Sequence, residues 1–219
     1  NAGKRTLANK LSREELQAKL DAETFHRTTV SFYKYVIIEN QQELRDALFA
    51  KGSQWECLGR IYVSREGINA QMNVPQHHWD AFDAFIHGLE YFHDVPFKLA
   101  VTDKTEGKSF LKLVVKVREQ IVADGLQPED YDVTDVGAHL TAKDWNEAIE
   151  KHDPVVVDMR NHYESEIGHF EGAVLPEAET FREELPMVLE KLKGQEDRKI
   201  LLYCTGGIRC EKTSAYLKH

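Results

Sequence analysis

Cysteine is scarce in this chain: there are three in 219 residues, Cys57, Cys204 and Cys210. So small and odd a set excludes a disulfide framework and points to a reducing compartment, the cytoplasm. No CxxC pair or HExxH occurs, and the adjacent His77 and His78 cannot both face one ligand on a helix. No metal site is therefore expected. No apolar run approaches the roughly 18 residues of a membrane helix, and the first residues show no signal-peptide pattern, so no membrane partner is expected. Positive charge is also in deficit, 28 Lys and Arg against 37 Asp and Glu, for a net charge of −9. That balance argues against indiscriminate nucleic-acid binding and still permits a local basic face. The length allows one large domain or two ordinary ones, with a real core.

One stretch concentrates the chemistry. The apolar run Ile200–Tyr203 leads straight into Cys204, then Thr205, Gly206, Gly207, Ile208 and Arg209, and a helical segment from Cys210 to Leu217. Strand, cysteine, glycine-rich turn and helix start form a setting in which backbone N–H groups converge and the helix end adds partial positive charge. Such surroundings draw a thiol pKa from about 8.5 into or below the neutral range. The opposing reading is a small thiol buried at the end of a core strand. Two glycines and an arginine within five residues favour the reactive thiolate.

In chain order, Ser12 and Glu15 form a capping box for a helix over residues 10–20, an N-terminal arm (1–28) too poor in apolar residues to stand alone. Thr29–Ile38 reads as a strand, Gln41–Ala50 as a helix, and Cys57–Ser64 as a strand. A tight turn at Arg65-Glu66-Gly67 returns the chain as a strand over Ile68–Val74. Trp79, Phe82, Phe85 and Ile86 then mark one face of a helix, and Lys98–Val101 and Phe110–Val117 are edge-type strands. The order β-α-β-β-α-β predicts a ferredoxin-like α+β domain over residues 29–124. Residues 125–138, with a proline, two glycines and four carboxylates, read as an interdomain linker.

A second, α/β domain follows over residues 139–219. Thr141 and Asp144 cap its first helix, Pro154–Met159 is a strand of the buried parallel type, Leu185-Pro186 begin a helix, and Ile200–Tyr203 is the next strand. In such folds the chemistry lies at the C-terminal ends of parallel strands, where Cys204 sits. The helix after Cys204 ends with the chain and no closing strand follows, so the domain reads as incomplete, part of a longer protein.

The pattern Asp158-Met-Arg160, then Glu164, then Gly168-His169-Phe170-Glu171-Gly172-Ala173 resembles the signature of rhodanese domains. Ser165 stands where that family more often has an aromatic. CTGGIR is similar to the family's six-residue active-site loop, whose cysteine carries sulfur as a persulfide; related phosphatases use a loop one residue longer. The stretch Gly59–Gln71, GRIYVSREGINAQ, joined to a rhodanese module containing CTGGIRCEK, resembles the bacterial rhodanese-related tRNA uridine-34 hydroxylases. That resemblance implies oxygen-dependent 5-hydroxylation of the wobble uridine, with tRNA as partner, molecular oxygen as co-substrate and Cys204 as the catalytic residue. No other cofactor is evident in the chain. The alternative is a sulfurtransferase working through a Cys204 persulfide and a sulfur donor. A non-catalytic binding module is the third reading, one that has no need of a loop cysteine.

The supporting residues each carry two readings. Arg209 closes the loop and adds charge, or is a surface residue at a helix start. Asp158 and Arg160 take part in the chemistry, or only brace the loop as an ion pair. Cys210 resolves an oxidised Cys204, or is a small residue packed beneath it. Cys57 is core. In the first domain Arg60, Arg65, Glu66 and Asn69 lie on or beside the hairpin, and Lys98, Lys104, Lys108, Lys112, Lys116 and Arg118 concentrate positive charge. Lys112 and Lys116 share a strand face, which suits tRNA phosphates, as do Arg60 and Arg65. A lysine-guarded edge strand is the other reading of that patch.

Overall fold

The computed structural model describes residues 11–100, 110–126 and 131–219. Lys104 and Lys108 lie outside them. The chain divides into two compact units, Asn1–Ile121 and Val122–His219.

In the first unit the expected elements form: α1 (Arg13–Asp21), β1 (Arg27–Tyr35), α2 (Gln41–Gln54), β2 (Leu58–Ser64), β3 (Gly67–Pro75), α3 (Trp79–His87), β4 (Lys98–Leu99) and β5 (Leu113–Val117). The strands make one sheet in the order β4-β1-β3-β2-β5. The first four are antiparallel in the ferredoxin-like arrangement. β5 adds a fifth strand parallel to β2, at the edge opposite β4. Residues paired across strands share a face, so Val30 with Met72 and Phe32 with Ala70 point to one side. There they meet Leu44 and Leu48 of α2 and Phe82 and Ile86 of α3 in a common core. The opposite face takes the alternate residues, among them Tyr33, Arg60, Tyr62, Gln71 and Lys116, as an antiparallel sheet with one covered side requires.

The β2–β3 hairpin closes through Arg65 and Glu66. Gly67 has φ +147° and lies against Lys34; a Cβ there would stand 2.0 Å from the Lys34 carbonyl oxygen, so only glycine fits. Glu66 is buried, and its carboxylate accepts the Ile121 N–H at 2.7 Å. Asn69 donates to the Ile121 carbonyl at 3.2 Å. The two hairpin residues therefore clasp the last residue of this unit.

The second unit holds α4 (Ala142–His152), β6 (Val155–Asp158), α5 (His162–Ile167), α6 (Phe181–Leu192), β7 (Ile200–Tyr203) and α7 (Ile208–Lys218). β6 and β7 pair in parallel, and Val174 bridges to Val157. Val155, Val157, Met159, Phe181, Val188 and Leu192 form the core between strands and helices. Two expectations need correction. α5 has no counterpart in the sequence reading. α6 starts not at Leu185 but at Phe181, where the Thr180 hydroxyl accepts the Glu183 N–H. Pro186 thus falls in the second turn, forgoing the bond to the carbonyl of Arg182, a cost that the burial of Leu185 and Val188 offsets.

The described residues of the stretch read as a linker pack on α7. Gly137 donates to Ser214 at 2.9 Å, Tyr131 meets Tyr216 edge-on, and Lys218 pairs with Asp135. Lys212, 1% exposed, pairs with Asp124 at 2.9 Å and donates to the Val122 carbonyl at 3.0 Å. Among the described residues no helix is long and apolar enough to cross a membrane.

Candidate active site at the end of strand β7

Cys204 follows the last residue of β7, at a C-terminal strand end as the parallel-sheet argument requires. Gly207 takes φ +89°, a left-handed turn that starts α7 and brings its N–H to the Cys204 sulfur at 3.0 Å. Cys210, third residue of α7, gives that sulfur both its thiol and its backbone N–H. The thiol bond from Cys210 is the largest influence on Cys204. Burial opposes it, and the two amides and the Arg209 charge add to it. The net effect draws the Cys204 pKa down to about 5. At neutral pH the sulfur is an anion held by converging donors at a helix start. Cys210 is driven the opposite way, its proton retained by the bond it gives to Cys204. Cys57, by contrast, is buried in the first unit, and burial pushes its thiol up to about 12. It is the inert core cysteine its surroundings implied.

α5 walls the loop. Its Glu164 accepts the Arg209 guanidinium at 3.2 Å and sits 3.4 Å from the Thr205 hydroxyl, so one carboxylate ties both ends of the turn. Asn161 takes a second bond from Arg209 at 3.3 Å. Arg209, at the end of the loop, is thus held by two residues at the start of α5 and just before it.

Asp158, 0% exposed, accepts five hydrogen bonds: from the Arg160 backbone and from its Nε and Nη2 at 3.0, 2.9 and 2.7 Å, from Ser165 at 2.9 Å, and from Tyr203 at 2.8 Å. Burial pushes its carboxyl up, but the bonds from Arg160, Tyr203 and Ser165 outweigh it and hold the carboxyl below its ordinary range. Arg160 also donates to the Gly168 carbonyl and lies over the Tyr203 ring. This network ties the end of β6 to Tyr203, the residue just before Cys204. It also gives Ser165 a partner, its hydroxyl donating to the buried Asp158 carboxylate.

Sequence reasoning missed Glu184. It lies on α6, 1% exposed, with both carboxylate oxygens lacking a hydrogen-bond partner among the described residues. Burial is the main cause of a pKa raised to about 8, with Arg209 opposing and Asp158, Cys204 and Glu164 reinforcing. Glu184 is a neutral acid within electrostatic reach of the loop, and nothing in an EELP segment announces it. Beside the loop lies a cavity of about 340 Å³, lined in part by His139, Trp145, Tyr203, Cys204 and Cys210. Its volume falls at the lower end of the range for small-ligand sites.

In the first unit, Arg60, Lys112 and Lys116 are exposed. Arg60 and Tyr62 on β2 pair with Val114 and Lys116 on β5, so Arg60 and Lys116 share a face; Lys112 lies just before β5, outside the strand, so the shared strand face expected for Lys112 and Lys116 does not form. Arg60 also lies over the Phe110 ring. Arg65 stands apart at the hairpin tip, 3.7 Å from Glu39 with both side chains largely exposed.

A parallel strand that ends in an amide-held cysteine, backed by a D-x-R network, makes the second unit a rhodanese-like domain, and residues 141–219 match the family model of that description. Residues 27–121 match the model described as a UPF0176 acylphosphatase-like domain. The chain thus joins an acylphosphatase-like domain to a rhodanese-like one. It is 56% identical over 216 residues, 99% of its length, to the tRNA uridine(34) hydroxylase of Leptospira interrogans serogroup Icterohaemorrhagiae serovar Lai, and covers 58% of that protein. It is 48% identical over 214 residues to the protein of the same name from Erwinia tasmaniensis and 47% identical over 213 to that from Yersinia enterocolitica; it covers 61% of each. The chain therefore spans about three fifths of the length of these curated relatives.

Proposed function

We propose that the protein is a tRNA-modifying enzyme that hydroxylates C5 of the wobble uridine, position 34, with molecular oxygen as co-substrate and Cys204 as the catalytic residue. The observation that carries the reading is the ionised Cys204 beside a cavity, in a chain about half identical, over nearly its whole length, to proteins named for that reaction. Each part of the site has a task in it. The Gly207 and Cys210 donors hold the anionic sulfur before substrate arrives, as preorganised donors stabilise developing charge. Arg209 and Glu164 fix the loop, and Asp158, Arg160 and Tyr203 fix the strand end that carries it. Arg60, Lys112 and Lys116, with Arg65 at the hairpin tip, offer tRNA phosphates a basic face on an otherwise acidic chain. The acylphosphatase-like domain positions the tRNA, the rhodanese-like domain performs the chemistry, and the cytoplasm is the compartment where both substrate and reduced thiols are found.

The loop itself supports a second reading, a sulfurtransferase that carries sulfur on Cys204 as a persulfide, because its inward amides suit a terminal sulfur anion. Nucleoside analysis of tRNA separates the two. Deletion of the gene should abolish wobble 5-hydroxyuridine, and wild type but not Cys204→Ser should restore it. Unchanged tRNA in the deletion strain, together with thiosulfate-to-cyanide transfer by the purified full-length protein, would replace the hydroxylase reading with the sulfurtransferase one.

A further inference from the structure

Insertion of one atom of O₂ into a C–H bond leaves a second oxygen atom to be reduced to water, which takes two electrons and two protons. We propose that Cys204 and Cys210 supply those electrons together, as a dithiol that ends each turnover as a disulfide. The inference rests on the oxygen-dependent hydroxylase reading given above. The balance is C–H + O₂ + 2 R–SH → C–OH + H₂O + R–S–S–R. The uridine C5–H bond breaks, a C–O bond forms, the two sulfurs lose one electron each and join, and the second oxygen leaves as water. With Cys204 already ionised, one of the two protons comes from the Cys210 thiol and the other from solvent. A small-molecule thiol or dithiol then restores the pair by exchange, a thiolate attacking the disulfide through a mixed intermediate.

Three features carry this. The two cysteines line the same cavity, and the Cys210 thiol is the donor that most lowers the Cys204 pKa, so the bond to be formed joins neighbouring sulfurs. Both residues are partly exposed and both line the cavity beside the loop, so oxygen and a base in that cavity have access to either sulfur. Their separation in sequence is small, and Cys210 sits on the first turn of α7 with the left-handed Gly207 between them, which folds the loop back on itself. A residue present only to lower the pKa of Cys204 needs a donor, and serine supplies one; it does not need a second oxidisable sulfur. That difference makes the two roles separable.

The test is a single turnover. The full-length protein is reduced with dithiothreitol, freed of it, and mixed with oxygenated buffer and tRNA lacking the modification. Hydroxyuridine is then counted per protein, and remaining thiols are alkylated for peptide mass spectrometry. The expected result is at most one hydroxyuridine per chain, loss of the Cys204 and Cys210 thiols in step with it, a linked Cys204–Cys210 peptide, and further product only when dithiothreitol returns. Cys210→Ser, checked for fold by retained low-pH alkylation of Cys204, should lose this burst at least tenfold. A full burst from Cys210→Ser, product with both thiols still free, or a disulfide that forms equally fast without tRNA would each overturn the proposal. If the wild type yields no hydroxyuridine even with excess dithiothreitol, the hydroxylase reading itself has failed and this one falls with it.

Discussion

Lys212 and Asp124 form an ion pair at 2.9 Å in which both side chains are almost wholly withdrawn from water. Lys212 is on the helix that starts at the cysteine loop, and Asp124 is on the segment that opens the second unit. Such a pair contributes little compared with well-packed apolar residues, yet removal of one partner leaves the other charge stranded. Lys212→Met should therefore cost about 3–5 kcal/mol in urea denaturation. The Lys212→Met/Asp124→Leu double variant should recover most of it. Equal losses in the single and double variants would mean that the pairing is not what matters.

The Cys204 thiolate should titrate near pH 5. Alkylation of Cys204 by iodoacetamide, followed by peptide mass spectrometry, should rise through that value and level off before neutrality. Cys210→Ala removes the largest contribution and should shift the midpoint upward by a unit or more, towards the ordinary value of about 8.5. A wild-type midpoint already near 8.5 would contradict the donor arrangement described for the loop.

Glu184 makes the second unit sensitive to alkali. Its carboxyl titrates near 8 in the folded chain and near 4.3 in the unfolded one. Between those values the folded state holds a proton that the unfolded state lacks, so stability declines as pH rises, by up to about 1.4 kcal/mol per unit, and levels off above 8. Glu184→Gln should flatten that decline and be the more stable protein at pH 8, by a few kcal/mol. Parallel pH–stability curves for the two proteins would rule this out.

Asp158 acts in the opposite sense. Its folded pKa is depressed, so its contribution is present above the unfolded carboxyl pKa and lost as pH falls through the folded one. Asp158→Asn turns a five-fold acceptor into a group whose own N–H₂ faces the Arg160, Ser165 and Tyr203 donors. The expected loss is about 3–5 kcal/mol, with Cys204 alkylation made faster or less selective as the strand end loosens. A loss below about 1 kcal/mol would show that the network is not bracing.

Much of this was legible in the residues. The loop from Cys204 to Arg209 announces itself because glycines, a cysteine and a strand end must lie close in sequence to act together. The β2–β3 hairpin and the capping boxes at Ser12 and Thr141 are equally local. What escaped depends on packing between distant segments. α5 is six mostly polar residues, too short for a periodic signal, although it supplies the Glu164 that holds the loop. Pro186 invited a helix start at Leu185, whereas Thr180 had the better cap chemistry. The pairing of β5 with β2 across the sheet is set by tertiary contacts that no window of sequence contains. Nor can an acidic residue on a helix reveal that it is buried, as Glu184 is.

The clasp made by Glu66 and Asn69 on Ile121 bears on how this protein is recognised. The REGIN stretch, the most distinctive string in the first half of the chain, uses two of its five side chains to fasten backbone. A homologue that keeps those letters has kept the fastening. Those letters therefore report on how the first unit is held together, and the chemistry proposed for the chain has to be tested separately, at Cys204 and Cys210.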